Sequence, residues 1–203
     1  MFRRFPADDR RDEDISPAEM APLSDEDKRT LLHIARQTLE TFLTQGKRPE
    51  IYADSPALRQ VRAAFVTLWR RDTGELRGCR GECIPRRPLT EAVVRMTIAS
   101  ALDDPRFQPV TAQEVPFLRI DINALTPLRP IHPDEVEVGR HGLMIVRAPY
   151  AGLLLPDVPA RLGWDRIQFL AAVCEKAGLP QSAWRDAQTD LYGFESEEWG
   201  EEE

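Results

Sequence analysis

Leu76-Arg77-Gly78-Cys79-Arg80-Gly81 sets one thiol between two glycines and two arginines. A thiolate can act as a nucleophile, a redox group or a metal ligand, and nearby positive charge favours it over the thiol. Arginine adds a planar fork of donors that matches carboxylates and phosphates. Glycine leaves room for a backbone or a ligand to approach. Cys79 is therefore a candidate nucleophile, and Arg77, Gly78, Arg80 and Gly81 are candidate ligand- or partner-binding residues. The competing reading is a small buried residue in a tight strand, a common place for a free cysteine. A thiol enzyme also needs a base. His33, His132 and His141 are all distant in sequence from Cys79. Glu114 is a further candidate base, as are Asp103 and Asp104, although helix caps and stops account for all three acids equally well.

Other chemistry has less to build on. Cys79-x-x-x-Cys83 lacks the CxxC that completes a radical S-adenosylmethionine cluster motif, because Arg86 stands where its next cysteine would be. Zinc wants four ligands, and only Cys174 and scattered histidines remain, so neither a metal nor a cofactor is expected. On one extended segment, Cys79 and Cys83 would lie roughly 13 Å apart at about 3.3 Å per residue, too far for a disulfide. Six arginines fall between Trp69 and Pro88, opposed by Asp72, Glu75 and Glu82. That local excess suits an anion pocket or a docking patch for an acidic partner, or a solvated hairpin rim. A nucleic-acid module is a further alternative, but the net charge of −7 argues against it.

These residues need elements to position them. Ala63–Trp69 is apolar and β-prone, Arg71-Asp72-Thr73-Gly74 is a turn signal, and a second strand returns through Cys79. Residues 63–81 thus form a predicted hairpin with Arg77 and Cys79 on one face. Ser24 caps a predicted helix that Gly46 stops, Thr90 caps another over 91–102, and Asp165 caps a third that ends at Gly178. Thr111 and Glu114 fit a capping box. Residues 118–124 alternate as a half-buried strand, and 142–148 and 152–155 read as two more. Cys174 falls on an apolar helical face and belongs to the core. Helices with hairpin-connected strands, and no βαβ rhythm, give an α+β class. Residues 1–22 read as a flexible arm, 23–196 as one domain, and 197–203 as a frayed acidic tail. The charged N-terminus lacks the apolar stretch of a secretory signal, no segment is apolar enough to span a membrane, and the three cysteines fit a reducing compartment. A cytoplasmic protein is expected.

Taken in order, several motifs resemble the AMMECR domain family. They are Phe65-Val66-Thr67-Leu68, Leu76-Arg77-Gly78-Cys79-x-Gly81, Pro88-Leu89, Asp104-Pro105-Arg106-Phe107-x-Pro109, Leu154-Leu155-Pro156-x-Val158, Gly163-Trp164-Asp165-x-x-x-Phe169-Leu170 and Cys174-x-Lys176-Ala177-Gly178-Leu179. Bacterial members are called AmmeMemoRadiSam system protein A. The resemblance covers roughly residues 24–196. It implies two unequal, intimately packed lobes with antiparallel sheets and a cleft between them. It also implies association with a Memo-like protein and a radical S-adenosylmethionine protein, and no established reaction. Arg106, in the Asp104–Pro109 motif, joins the candidate binding residues. The chain departs from the family in carrying Arg80 where an apolar residue is usual, Asp157 where Gln is common, and Asn123 where Ser is common.

Overall fold

Ser24 opens the first helix by a reciprocal cap. Its hydroxyl accepts the Asp27 N–H at 3.1 Å, and the Asp27 carboxylate accepts the Ser24 N–H at 2.9 Å. Helix α1 (Asp25–Gln45) then runs until Gly46 takes a φ of +69° and donates to the Phe42 carbonyl. The structure, a computed structural model, describes residues 23–51 and 55–202; the arm expected over 1–22 lies outside them. A short helix α2 (Pro56–Arg59) leads to β1 (Ala64–Arg70) and β2 (Leu76–Gly81), the expected antiparallel hairpin. Helix α3 (Leu89–Leu102) follows. Its N-cap is Pro88 rather than Thr90, which is buried inside the first turn. A 3₁₀ turn (Ala112–Phe117) opens on the expected Thr111–Glu114 capping box and leads into β3 (Leu118–Leu125).

β3 pairs antiparallel with the free side of β1. Alternation sends Val66, Leu68, Ile120 and Ile122 to one face, where they are fully buried with Leu31 and Leu39 of α1 and Leu89 and Val93 of α3. Each such side chain stabilises the fold by about 1.5–3 kcal/mol relative to exposure. Phe65, Thr67, Trp69, Asp121 and Asn123 line the opposite face of the same strands.

Residues 126–196 make a second compact unit. It holds β4 (Arg129–Pro130), β5 (Gly142–Arg147), β6 (Tyr150–Leu154) and β7 (Asp190–Phe194), ordered β4-β7-β5-β6 with antiparallel pairing. Helix α4 (Asp157–Leu162) was not legible from the sequence. Helix α5 (Arg166–Lys176) carries the expected Asp165 cap and buries Phe169, Leu170, Val173 and Cys174 against Leu143, Ile145 and Leu191.

The chain then returns to the first unit. Ser196–Gly200 forms β8, beside β3, giving the order β2-β1-β3-β8. This corrects the expectation of a frayed acidic end. Trp199 packs on the first core and donates to the Lys28 carbonyl at 3.1 Å, and Glu197 meets the buried guanidinium of Arg62 at 3.2 Å. The fold is α+β, with two antiparallel sheets and flanking helices.

Candidate functional site

β2 is an edge strand, and an edge strand leaves backbone donors unpaired. Here a side chain takes one of them, and another enters the ladder on the β1 side. The Cys79 N–H donates to Asp104 Oδ2 at 2.9 Å, and the Arg80 N–H donates to Ser100 Oγ at 2.9 Å. Ser100 Oγ in turn donates to the Val66 carbonyl at 2.7 Å, tying α3 to the hairpin. The two glycines of the segment answer to the same packing. A Cβ on Gly78 would stand 2.1 Å from the Ser100 carbonyl oxygen, and one on Gly81 would stand 2.0 Å from the Phe65 ring. The space that glycine opens is filled by the protein's own atoms at both positions.

Cys79 is half-buried, and its Sγ is 3.3 Å from the Thr67 hydroxyl. Register places Cys79 opposite Thr67, and Thr67 opposite Asp121, in one row across three strands. Asp121 is held by Arg119 at 3.3 Å. Cys83 is half-buried, and among the described residues no disulfide forms.

The charged groups around this edge are matched in pairs. Arg77 grips Glu114 through Nε at 2.8 Å and Nη2 at 3.3 Å. Glu114 also accepts the Thr111 N–H and hydroxyl at 2.8 and 3.0 Å. The Arg77 guanidinium, helped by the Thr111 bonds, holds the Glu114 carboxyl down to about 2, against burial that opposes it. A carboxylate so acidic is a poor general base near neutral pH. Arg106 grips Asp104 through Nε at 2.9 Å and Nη2 at 2.7 Å, and its own N–H donates to the same carboxylate at 3.1 Å. Asp104 is only 5% exposed, and Arg106 keeps it well below the usual carboxylate range. Between the two pairs lies Phe107, with Arg77 and Arg106 at 6.0 and 5.4 Å from its ring centre.

Arg77, Glu114, Arg106 and the Cys79 backbone thus meet around Phe107 and Asp104. The sequence singled out the first four. Asp104 entered it as a candidate acid or base that a helix stop explained equally well, not as a partner of the cysteine strand, and Phe107 and Ser100 were missed as site residues. The signal for Asp104 and Phe107 was the Asp104–Phe107 motif, which packs directly against the cysteine strand. Arg80 does not join this cluster. Its side chain is exposed and lines a pocket of about 270 Å³ with Arg48 and Arg95. His132 and His141 serve local turns. His132 Nδ1 accepts the Asp134 N–H at 3.3 Å, and buried His141 accepts the Glu137 N–H at 3.0 Å. His33 is exposed on α1. Among the described residues no group of three or more His, Cys, Asp or Glu side chains could hold a metal ion, and no helix is long and apolar enough to cross a membrane.

An α+β protein whose cysteine-bearing edge strand is sealed by an aspartate from a Asp-Pro-Arg-Phe loop is the class these elements define. The chain belongs to the AMMECR1 family, whose profile matches residues 32–199. It is 42% identical to a protein of Aeropyrum pernix, over 92% of this chain and 84% of that one. A protein of Pyrococcus abyssi is 40% identical over 90% of this chain and 94% of its own length. The crystal structure of the uncharacterized protein PH0010 from Pyrococcus horikoshii is similar with a TM-score of 0.77 at 41% identity, covering 89% of this chain and 94% of that one.

Proposed function

We propose that this chain is a cytoplasmic accessory or adaptor component of a system with a Memo-like protein and a radical S-adenosylmethionine protein, and that it binds a partner or a small anionic ligand beside the Arg77–Gly81 strand. The observation that supports binding over turnover is the pairing around Cys79. Arg77 is committed to Glu114 and Arg106 to Asp104, so the groups that would activate a thiol or take its proton are held by one another. What remains is a rigid strand edge with fixed charges, which suits recognition. The same-organism Memo-like protein names the test. Binding to it should survive Cys79→Ser, because the two side chains are nearly the same size, and should weaken in Arg106→Gln, which breaks the Asp104 fork. Absence of binding by the wild type, together with turnover of any metabolite that Cys79→Ser abolishes, would replace the adaptor with a thiol enzyme.

A further inference from the structure

Three arginines line one pocket that a single carboxylate shares. Arg48 follows the end of α1, Arg80 stands on β2 and Arg95 on α3, yet all three line one pocket of about 270 Å³. Among the described residues none of the three forms an ion pair within 4.0 Å. This sets them apart from Arg36, Arg62, Arg71, Arg77, Arg87 and Arg106 of the same unit, each of which has a carboxylate partner. Among the described residues, Asp103 is the one acidic residue on the pocket wall. A protein with a net charge of −7 has carboxylates to spare, so three arginines sharing a concavity with a single carboxylate, and none of them ion-paired, mark a place where positive charge is kept for something else.

We infer that the Arg48–Arg80–Arg95 pocket is a binding site for a small phosphomonoester. Guanidinium forks match phosphate oxygens in pairs, and a dianion relieves the mutual repulsion of three cations better than a single carboxylate would. The volume, a little below the usual range for ligand pockets, suits a phosphate with a few carbons rather than a nucleotide. Met96 and Ala99 give the wall an apolar strip beside Gly81 for the carbon part, and Asp103 offers a carboxylate to a ligand hydroxyl. The backbone that carries Arg80 is fixed, because its N–H is held by Ser100 on the same helix that carries Arg95. The backbone positions that carry two of the three arginines are thereby held at a constant separation. This reading rests on the binding role proposed above and names its ligand class. Arg48 and Arg95 are additions that neither the cysteine strand nor the family motifs point to.

Calorimetric titration of the full chain with glycerol 3-phosphate, inorganic phosphate and sulfate, at two ionic strengths, tests it. Wild type should bind glycerol 3-phosphate saturably, more tightly than sulfate, and at least tenfold more weakly at the higher salt. Arg80→Ile and Arg95→Gln should each lower that affinity tenfold or more, while Arg140→Gln, at an exposed arginine paired with Glu137 and Glu195 in the other unit, should leave it within twofold. All three side chains are solvent-exposed, and unchanged melting curves would show that the variants fold. Wild type that fails to bind the ester, binds sulfate as well as the ester, or binds unchanged in both pocket variants overturns the site. Binding of the Memo-like protein is measured beside it: loss of that binding with ester affinity intact removes the adaptor and leaves the pocket, and the reverse removes the pocket and leaves the adaptor.

Discussion

At the scale of single residues, two kinds of constraint meet at the cysteine strand: space and charge. Gly78 faces a backbone carbonyl at 2.1 Å from where its Cβ would be, and a backbone does not swing away. Gly78→Ala should therefore cost about 1–3 kcal/mol through overpacking, which is a fall of about 2–4 °C in Tm per kcal/mol for a chain of this size. At Gly81 the obstacle is the Phe65 ring, a side chain that can rotate, so Gly81→Ala should cost less. Equal melting temperatures for Gly78→Ala and wild type would show that the Ser100 contact is slack. Charge gives a pH signature. Folding lowers the Glu114 carboxyl from 4.5 to about 2, because Arg77 favours its ionised form. A depressed acid contributes stability that is fully present above the unfolded value and is lost as pH falls through the folded one. The melting difference between wild type and Glu114→Gln should then hold constant from neutral pH to about 5 and shrink toward pH 2. A difference independent of pH over that range would mean that Glu114 acts through shape alone.

At the scale of elements, local signals carried much of the fold. Ser24 and Gly46 bracket α1, Asp165 starts α5, and the Arg71–Gly74 turn folds the hairpin, because caps and turns are decided within a few residues of chain. What stayed hidden depends on distant partners. Ser196-Glu197-Glu198-Trp199-Gly200 has no apolar alternation and looks like a solvated tail, yet it is a strand. Its acids answer cations far back in the chain: Glu197 meets Arg62, and just past the strand Glu201 meets Arg36 and Arg71 and accepts the Ile120 N–H at 3.1 Å. α4 was masked by its own Pro159. The candidate site follows the same division. Cys79 and its arginines stood out by composition, but the bond from Cys79 to Asp104 spans 25 residues and that from Arg77 to Glu114 spans 37, so the sequence could offer those partners only as separate motifs. The last strand gives the element its test. Arg62 is 1% exposed and otherwise held by the Ala124 and Leu125 carbonyls. Glu197→Ala leaves that buried cation without its carboxylate, at a cost of about 1–3 kcal/mol. A Tm within 1 °C of wild type, by the scaling of about 2–4 °C per kcal/mol, would show that β8 is held by Trp199 and backbone pairing alone.

At the scale of the whole molecule, the chain runs through one unit, builds another over residues 126–196, and returns to the first. The first sheet therefore depends on a strand made after the second unit is finished. The way out and the way back are adjacent. The Thr126 N–H donates to the Glu195 carbonyl at 2.8 Å, and the Glu195 N–H donates to the Thr126 hydroxyl at 2.8 Å. Each unit also keeps its own hydrophobic core, one around Val66 and Ile120 and the other around Leu143 and Phe169. Two ends so close need only a short loop to join them, and closing a short loop costs little entropy. A chain of residues 23–125 linked by a few glycines and serines to 196–203 should thus fold cooperatively, with helix and sheet in its circular dichroism and a single melting transition. It retains Cys79, the Arg77–Glu114 and Arg106–Asp104 pairs and the Arg48–Arg80–Arg95 pocket, so it should also keep whatever affinity for glycerol 3-phosphate the full chain has. The same chain ending at residue 125 lacks β8 and the partner of Arg62 and should melt several degrees lower. If the linked chain is unfolded while the full chain is stable, the first core does not suffice, and residues 126–196 are part of what holds the cysteine strand in place.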